Sequence, residues 1–142
     1  KFPGPLPPGT LGIGDDCAVI KKDARRSTLV TTDLLVEEVH FLRKAIPPRD
    51  LGHKSLAVNL SDIAAMGGKP ESAYLSVALP TDLPLSWVDE FLRGFRSLAR
   101  EWKVDLLGGD TTRSPRHLFI NVAVIGSIVT ENMKLRSGAR SG

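Results

Sequence analysis

Cysteine is almost missing from this 142-residue chain: Cys17 is the single one. A lone cysteine excludes an intramolecular disulfide and points to a reducing compartment, with a cytoplasmic location as the default expectation. Histidine is scarce too. His40, His53 and His117 are widely spaced and make no zinc-ligand pattern. Aromatics are 6% of the chain and do not interleave with a basic stripe. The adjacent basic pairs Lys21-Lys22, Arg25-Arg26 and Arg43-Lys44 stand apart, so a net charge of +3 gives nucleic-acid binding little support. No apolar run is long enough to span a bilayer and no signal-peptide pattern opens the chain, so no membrane partner is expected. Two nucleotide motifs are also missing. There is no G-x-x-x-x-G-K-S/T loop, and Gly12-Ile13-Gly14-Asp15-Asp16-Cys17 lacks both the third glycine and the preceding strand of a dinucleotide fingerprint.

What remains is an ordinary globular composition, 42% hydrophobic and 25% charged, long enough for one domain with a real core. Lys1 is not an initiator methionine and the chain stops on Ser141-Gly142, so a part of a larger protein is expected. Residues 1–10 hold four prolines and read as an extended arm. Leu29 to Thr32 is a β-prone run ending at Asp33, and Pro47-Pro48 breaks the chain. From His53 to Gly67 the pattern is helical. Leu56, Leu60, Ile63 and Gly67 make a buried face, and Ser55, Asn59, Asp62 and Met66 share another. Gly67-Gly68 reads as its C-terminal cap. Ala73, Leu75, Val77 and Leu79 alternate as a strand that Pro80 ends. A second helix carries Leu85, Val88, Leu92, Phe95, Leu98 and Trp102, with Ser86 and Asp89 as a capping pair. Val104 to Leu107 is a short strand, Leu118 to Ile128 a longer buried one, and 130–142 a polar linker. Interleaved helices and strands give α/β or α+β.

Four segments carry the chemistry: Gly12-Ile13-Gly14-Asp15-Asp16, Thr31-Thr32-Asp33, Asn59-Leu60-Ser61-Asp62 and Gly108-Gly109-Asp110. Each sets a carboxylate beside Gly, Thr, Ser or Asn. Carboxylates collected without histidine or cysteine suit a hard cation such as Mg²⁺, which usually arrives with phosphates. Asp33 and Asp110 each follow a predicted strand, where site residues gather. Singly, each segment reads equally as a turn or a solvated helix face. Cys17 reads as a small buried hydrophobe and His40 as a surface histidine. Arg113 and Arg136, near Gly and Ser, suit phosphate or solvent alike.

Jointly the segments resemble the thiamine-monophosphate kinase family. The resemblance rests on Gly12 to Ala18, Thr31-Thr32-Asp33, Val39-His40-Phe41, Lys54 to Gly67, Leu107 to Thr112 and Arg136-Ser137-Gly138-Ala139. It implies an α+β domain of the aminoimidazole ribonucleotide synthetase-like fold. That fold has a mixed sheet with helices packed on one face, and the sheet forms a barrel across a homodimer. Residues 11–129 would be the ATP- and Mg²⁺-binding dimerisation domain, and 130–142 a linker to a C-terminal domain that the chain does not contain. The implied reaction is ATP-dependent phosphorylation of thiamine monophosphate. By position, Asp16, Thr31, Thr32, Asp33, Asp62 and Asp110 would hold several Mg²⁺ ions. Gly109, Asp110 and Arg136 would contact ATP, and His40 the thiamine substrate. Another ATP-dependent synthetase of the same superfamily, or a non-catalytic dimerisation module, fits the residues as an alternative.

Overall fold

The computed structural model describes residues 4–140. Residues 1–3 of the expected arm and 141–142 of the expected linker lie outside the described residues. The elements run β1 (Ala18–Lys21), β2 (Arg26–Val36), α1 (Pro48–Ala65), β3 (Lys69–Pro80), α2 (Leu85–Trp102), β4 (Asp105–Ser114) and β5 (Phe119–Val129). The strands form one mixed sheet in the order β1-β2-β5-β3-β4. All neighbours are antiparallel except β3 and β4, which are parallel and joined through α2. The class is α+β, as the family resemblance implied.

Strand alternation divides the sheet into two unlike faces. Leu29, Thr31, Leu35, Ala73, Leu75, Ile120, Val122, Val124 and Ile128 are buried on the helix side. The intervening residues point away from the helices, and among them Leu34, Tyr74 and Ile20 remain exposed. Every residue of β4 except Ser114 is exposed, as befits an edge strand. That edge keeps its unpaired backbone groups.

Several boundaries differ from the sequence reading, each for a local reason. Pro47-Pro48 does not interrupt the chain ahead of a helix at His53; it starts the helix. Pro47 is the N-cap and Pro48 takes the first turn, where a missing N–H costs nothing. Gly67 is not on the buried face. Its φ of 77° places it in the left-handed region. Gly67 N–H donates to Ala64 O and Gly68 N–H to Ile63 O, the paired bonds of a Schellman ending. The second face of α1 is no solvated face either, because Ser55, Asn59 and Met66 are buried along with the first. The Ser86–Asp89 cap is absent; Pro84 precedes α2 with no side-chain cap, and Lys103 closes it in the left-handed conformation.

Strand ends moved as well. Asp33 does not follow a strand but lies within β2, and Gly108-Gly109-Asp110 lies within β4. The β4 segment stays in the ladder through an irregularity at Ala73/Tyr74. Gly109 has φ 146°, and a Cβ there would lie 1.7 Å from Leu75 O, so only glycine fits. β1 was not anticipated. It is four residues long and pairs with β2 across a turn in which Asp23 Oδ1 accepts the N–H groups of Arg25 and Arg26. Beyond β5 the tail lies against the domain. Lys134 N–H donates to Met66 O, and Met133 and Leu135 pack on the core.

The two helices meet through reciprocal glycines. A Cβ on Gly52 would sit 1.9 Å from Phe91 O, and one on Gly94 would sit 1.8 Å from Arg49 O. Backbone cannot yield as a flexible side chain can, so this contact sets how closely α2 approaches α1. Gly94→Ala should lower the urea unfolding midpoint by the equivalent of about 1–3 kcal/mol, the usual cost of overpacking. Gly138→Ala, with nothing within 4 Å of the added carbon, should leave the midpoint in place.

Candidate functional site

Asp62 sits in the last turn of α1, a turn with no basic residue. The carbonyl end of a helix carries partial negative charge, so a carboxylate is locally disfavoured there. A choice that violates local preference marks a functional position. The Schellman ending at Gly67-Gly68 turns the chain sharply beyond it into β3, leaving Asp62 at the rim of the helix layer. Asp62 is held by β2: Thr31 Oγ1 donates to Asp62 Oδ2 at 2.6 Å. Asn59, one turn earlier on the same helix face, is fully buried. Its Nδ2 reaches Ser55 O at 3.3 Å, while its Oδ1 is buried with no hydrogen-bond partner.

Thr31 and Asp33 are two apart on β2 and so project to the same, helix-facing side. The turn before β1 brings Asp15 and Asp16, and the tail brings Arg136, which sits in a short 3₁₀ turn, Arg136–Gly138. Arg136 N–H donates to Asp15 Oδ1 at 2.8 Å. The Arg136 guanidinium donates to both Asp16 oxygens, with Nη2 to Oδ1 at 2.6 Å and Nε to Oδ2 at 3.4 Å.

Electrostatics ties these segments into one group. Burial pushes the Asp33 carboxyl above its ordinary value, and the neighbouring charge of Asp62 adds to the rise. Attraction to His40 opposes it. The Arg136 hydrogen bond holds Asp16 below its ordinary value. The Arg136 guanidinium is pushed up first by Asp16 and further by Asp15 and Asp62. Cys17 lies behind the cluster, 2% exposed. Burial, then the charges of Asp62, Asp16 and Asp15, push its thiol up to about 12. It therefore stays protonated at neutral pH and makes no nucleophile, in keeping with the small-hydrophobe reading.

The fold thus brings Asp16, Thr31, Asp33, Asp62 and Arg136 together, with His40 beside them. His40 is oriented by its own loop. Its Nδ1 accepts the Val36 N–H at 3.0 Å and its carbonyl accepts from Lys54 Nζ at 2.8 Å. The remaining sequence candidates stand elsewhere. Thr32 points to the helix-free face, where its Oγ1 accepts from Asn121 Nδ2. Gly109 lies in register with Leu75, Leu75 with Val122 and Val122 with Asp33. Three strand spacings therefore separate Gly109 from Asp33, about 14 Å. Asp110 is next along and pairs with Ser76, so it projects to the helix-free face as well. Arg113 lies on the same edge strand.

One participant escaped the sequence reading, and a second entered it without a role. Asn121 spans strands, donating from Nδ2 to Thr32 Oγ1 and to the Asp33 carbonyl. Its signal was a single polar residue inside the apolar run Leu118 to Ile128. Asp15 matched the motif without a role, and holding the tail is one it performs here.

Among the described residues no three His, Cys, Asp or Glu side chains stand close enough to grip an ion as they are. Two of the carboxylates are bonded within the chain, Asp16 to Arg136 and Asp62 to Thr31. The donor chemistry still fits a hard divalent cation. It consists of carboxylate and hydroxyl oxygens, those of Asp16, Asp33, Asp62 and Thr31.

A family model described as AIR synthase related protein, N-terminal domain, matches residues 14–128 of this α+β chain. The chain belongs to that family. Within it, the chain is 44% identical over 131 residues to the thiamine-monophosphate kinase of Buchnera aphidicola subsp. Schizaphis graminum (strain Sg), covering 92% of this chain and 39% of the relative. It is 41% identical over 130 residues to the thiamine-monophosphate kinase of Bacillus subtilis (strain 168), covering 92% and 40%. A solved structure described as AaThiL complexed with AMPPCP and TMP superposes with a TM-score of 0.83 at 38% identity, covering 92% of this chain and 40% of that one. The chain spans about two-fifths of the length of the curated relatives it matches.

The raised Asp33 carboxyl has a consequence for stability. In the window above the ordinary value of 3.8, the folded chain holds the Asp33 proton more tightly than the unfolded chain does. Stability from this group therefore falls as pH rises through that window and stays lower above it. Asp33→Asn should raise the urea midpoint of the cation-free protein at about pH 7 and bring no gain at about pH 3, where both states are protonated. Unfolding curves at the two pH values check this, and a lower midpoint for the variant at pH 7 contradicts it.

Proposed function

We propose that this chain is the nucleotide- and cation-binding part of a thiamine-monophosphate kinase, which transfers the γ-phosphoryl group of ATP to thiamine monophosphate to give thiamine diphosphate and ADP. The observation that carries the reading is the convergence of Asp16, Asp33 and Asp62 from three separate segments of the chain. Nothing structural requires that convergence, and the named relatives give it a purpose. The free buried thiol and the lack of any described helix able to cross a membrane are compatible with a cytoplasmic enzyme.

Two phosphate groups must approach each other, and their charges oppose it. Mg²⁺ ions held by Asp16, Asp33 and Asp62 would supply the neutralising charge that permits in-line transfer. The chain's own residues do the positioning. Thr31 fixes the rotamer of Asp62 through its hydrogen bond. Arg136 offers a guanidinium suited to a nucleotide phosphate. His40 accepts a backbone N–H at Nδ1, so a neutral ring carries its proton on Nε2, facing outward as a donor to the thiamine substrate. No nucleophile on the protein is needed, because the acceptor phosphate is already anionic.

A homodimer completes the reading. The helix-free face exposes Leu34, Tyr74 and Ile20, and β4 presents an unpaired edge. Joining two such faces as a barrel would cover both. It would also set Thr32, Gly109 and Asp110 at the junction, where Gly109 and Asp110 could meet ATP and the last of the metal ions. Leu34→Glu in the full-length protein should then shift the sedimentation coefficient toward a monomer, and an unchanged dimer contradicts this junction.

The activity is read by ADP release from full-length protein with Mg·ATP, with and without thiamine monophosphate. Release should depend on thiamine monophosphate. Asp62→Asn should lower kcat/KM at least about 100-fold, the scale seen when one electrostatic stabiliser is lost. Turnover indifferent to thiamine monophosphate would falsify the assignment.

A further inference from the structure

Two residues with different expected partners are bonded to each other. Asp16 belongs to the carboxylate cluster and Arg136 to the tail, 120 positions later. The guanidinium takes both Asp16 oxygens, and the backbone N–H beside it takes Asp15 Oδ1. The turn Arg136–Gly138 is thereby fixed over the acids, while Lys134 N–H to Met66 O anchors the segment just before it. A carboxylate bonded to arginine through both oxygens keeps only its outer lone pairs open, and the guanidinium charge beside it repels an arriving cation. An arginine spent on a carboxylate is likewise not free for a phosphate.

We propose that Arg136 is a built-in competitor for the Asp16 carboxylate, so that cation binding at Asp16 and release of the Arg136 tail are one event. This rests on the reading of Asp16 as a cation ligand. Three features support it. The pair is solvent-accessible, with the Arg136 side chain 64% exposed and Asp16 25%, so the bond is weak enough for a divalent ion to replace. The positive charge of Arg136 also reaches Asp15 and Asp62, so its departure deepens the negative potential of the whole cluster as the ion arrives. The tail then gives up its three bonds to the acids but keeps its apolar anchors, Met133 and Leu135. The freed guanidinium therefore remains beside the site, available to a phosphate oxygen. Whatever follows the tail in the chain is repositioned by the same exchange, which orders the events as cation first and phosphate clamp second.

The test uses full-length protein without nucleotide and Mn²⁺ as the probe, with free Mn²⁺ followed by electron paramagnetic resonance. Arg136→Gln keeps the length of an exposed side chain and removes its charge, so folding is preserved. It should bind Mn²⁺ about two- to five-fold more tightly than wild type, the range expected for removing an exposed ion pair. Asp16→Asn should bind more weakly than wild type. Hydrogen exchange supplies a readout that does not involve catalysis. Mg²⁺ should speed amide exchange at Arg136 in wild type and have no effect there in Asp16→Asn. Wild-type binding that Arg136→Gln leaves unchanged or weakens overturns the competition alone. Absence of Mn²⁺ binding in both proteins overturns the competition together with the cation site.

Discussion

Like charges resist being gathered, and this domain gathers them. The charges of Asp15, Asp16 and Asp62 all reach one buried thiol, and the charge of Asp62 also reaches Asp33, from three stretches of chain. Their repulsion is offset in the isolated chain by few groups. Arg136 neutralises Asp16, and Thr31 solvates Asp62. Among the described residues Asp33 has only the attraction of His40, which burial and the charge of Asp62 outweigh, so its carboxyl is raised. Asp62 adds a further unfavourable choice by standing at the negative end of α1. On the proposed function, an entering divalent cation would reduce these costs and so add to stability.

A cluster of this kind needs a rigid frame. Here the frame is the helix-side core, in which α1 lies against β2 and β5 and is backed by α2. Close helix contact through Gly52 and Gly94 and the Schellman ending at Gly67-Gly68 fix where α1 stops, and hence where Asp62 sits. The register of β2 with β5 fixes Asp33, and Asn121 locks that register with a side-chain bridge. Sheet geometry also sets one acid apart. Among the described residues Asp110 stands three strands from Asp33 and on the opposite face of the sheet.

Much of this was legible in the residues, and the failures have physical causes. The helix over Leu56 to Ile63, the alternation from Ala73 to Leu79 and the buried run from Leu118 all appear as read, because hydrophobic periodicity records which face is covered. Boundaries failed where proline and glycine have two uses. Pro48 opens a helix as readily as it ends a strand, and Gly109 permits an irregular ladder as readily as a turn. The acids were found, but not their grouping. Nothing local in Thr31-Thr32-Asp33 tells which residue faces the helices until the strand is paired. Nothing near Arg136 announces that it will return to Asp16, since a contact across 120 positions has no periodic signature. The family resemblance supplied the collective meaning that the segments lacked singly, and matching over residues 14–128 shows it to be sound at the level of the fold.

The central claim is that Asp16, Asp33 and Asp62 form one cation site for phosphate transfer. Its most direct test is an anomalous difference map at the manganese edge, from crystals of full-length protein grown with Mn²⁺ and a non-hydrolysable ATP analogue. The account predicts peaks bonded to carboxylate oxygens of all three residues, with the analogue's phosphates on the far side of the ions. Manganese bound elsewhere, with these three carboxylates left to solvent and to Arg136, would contradict it.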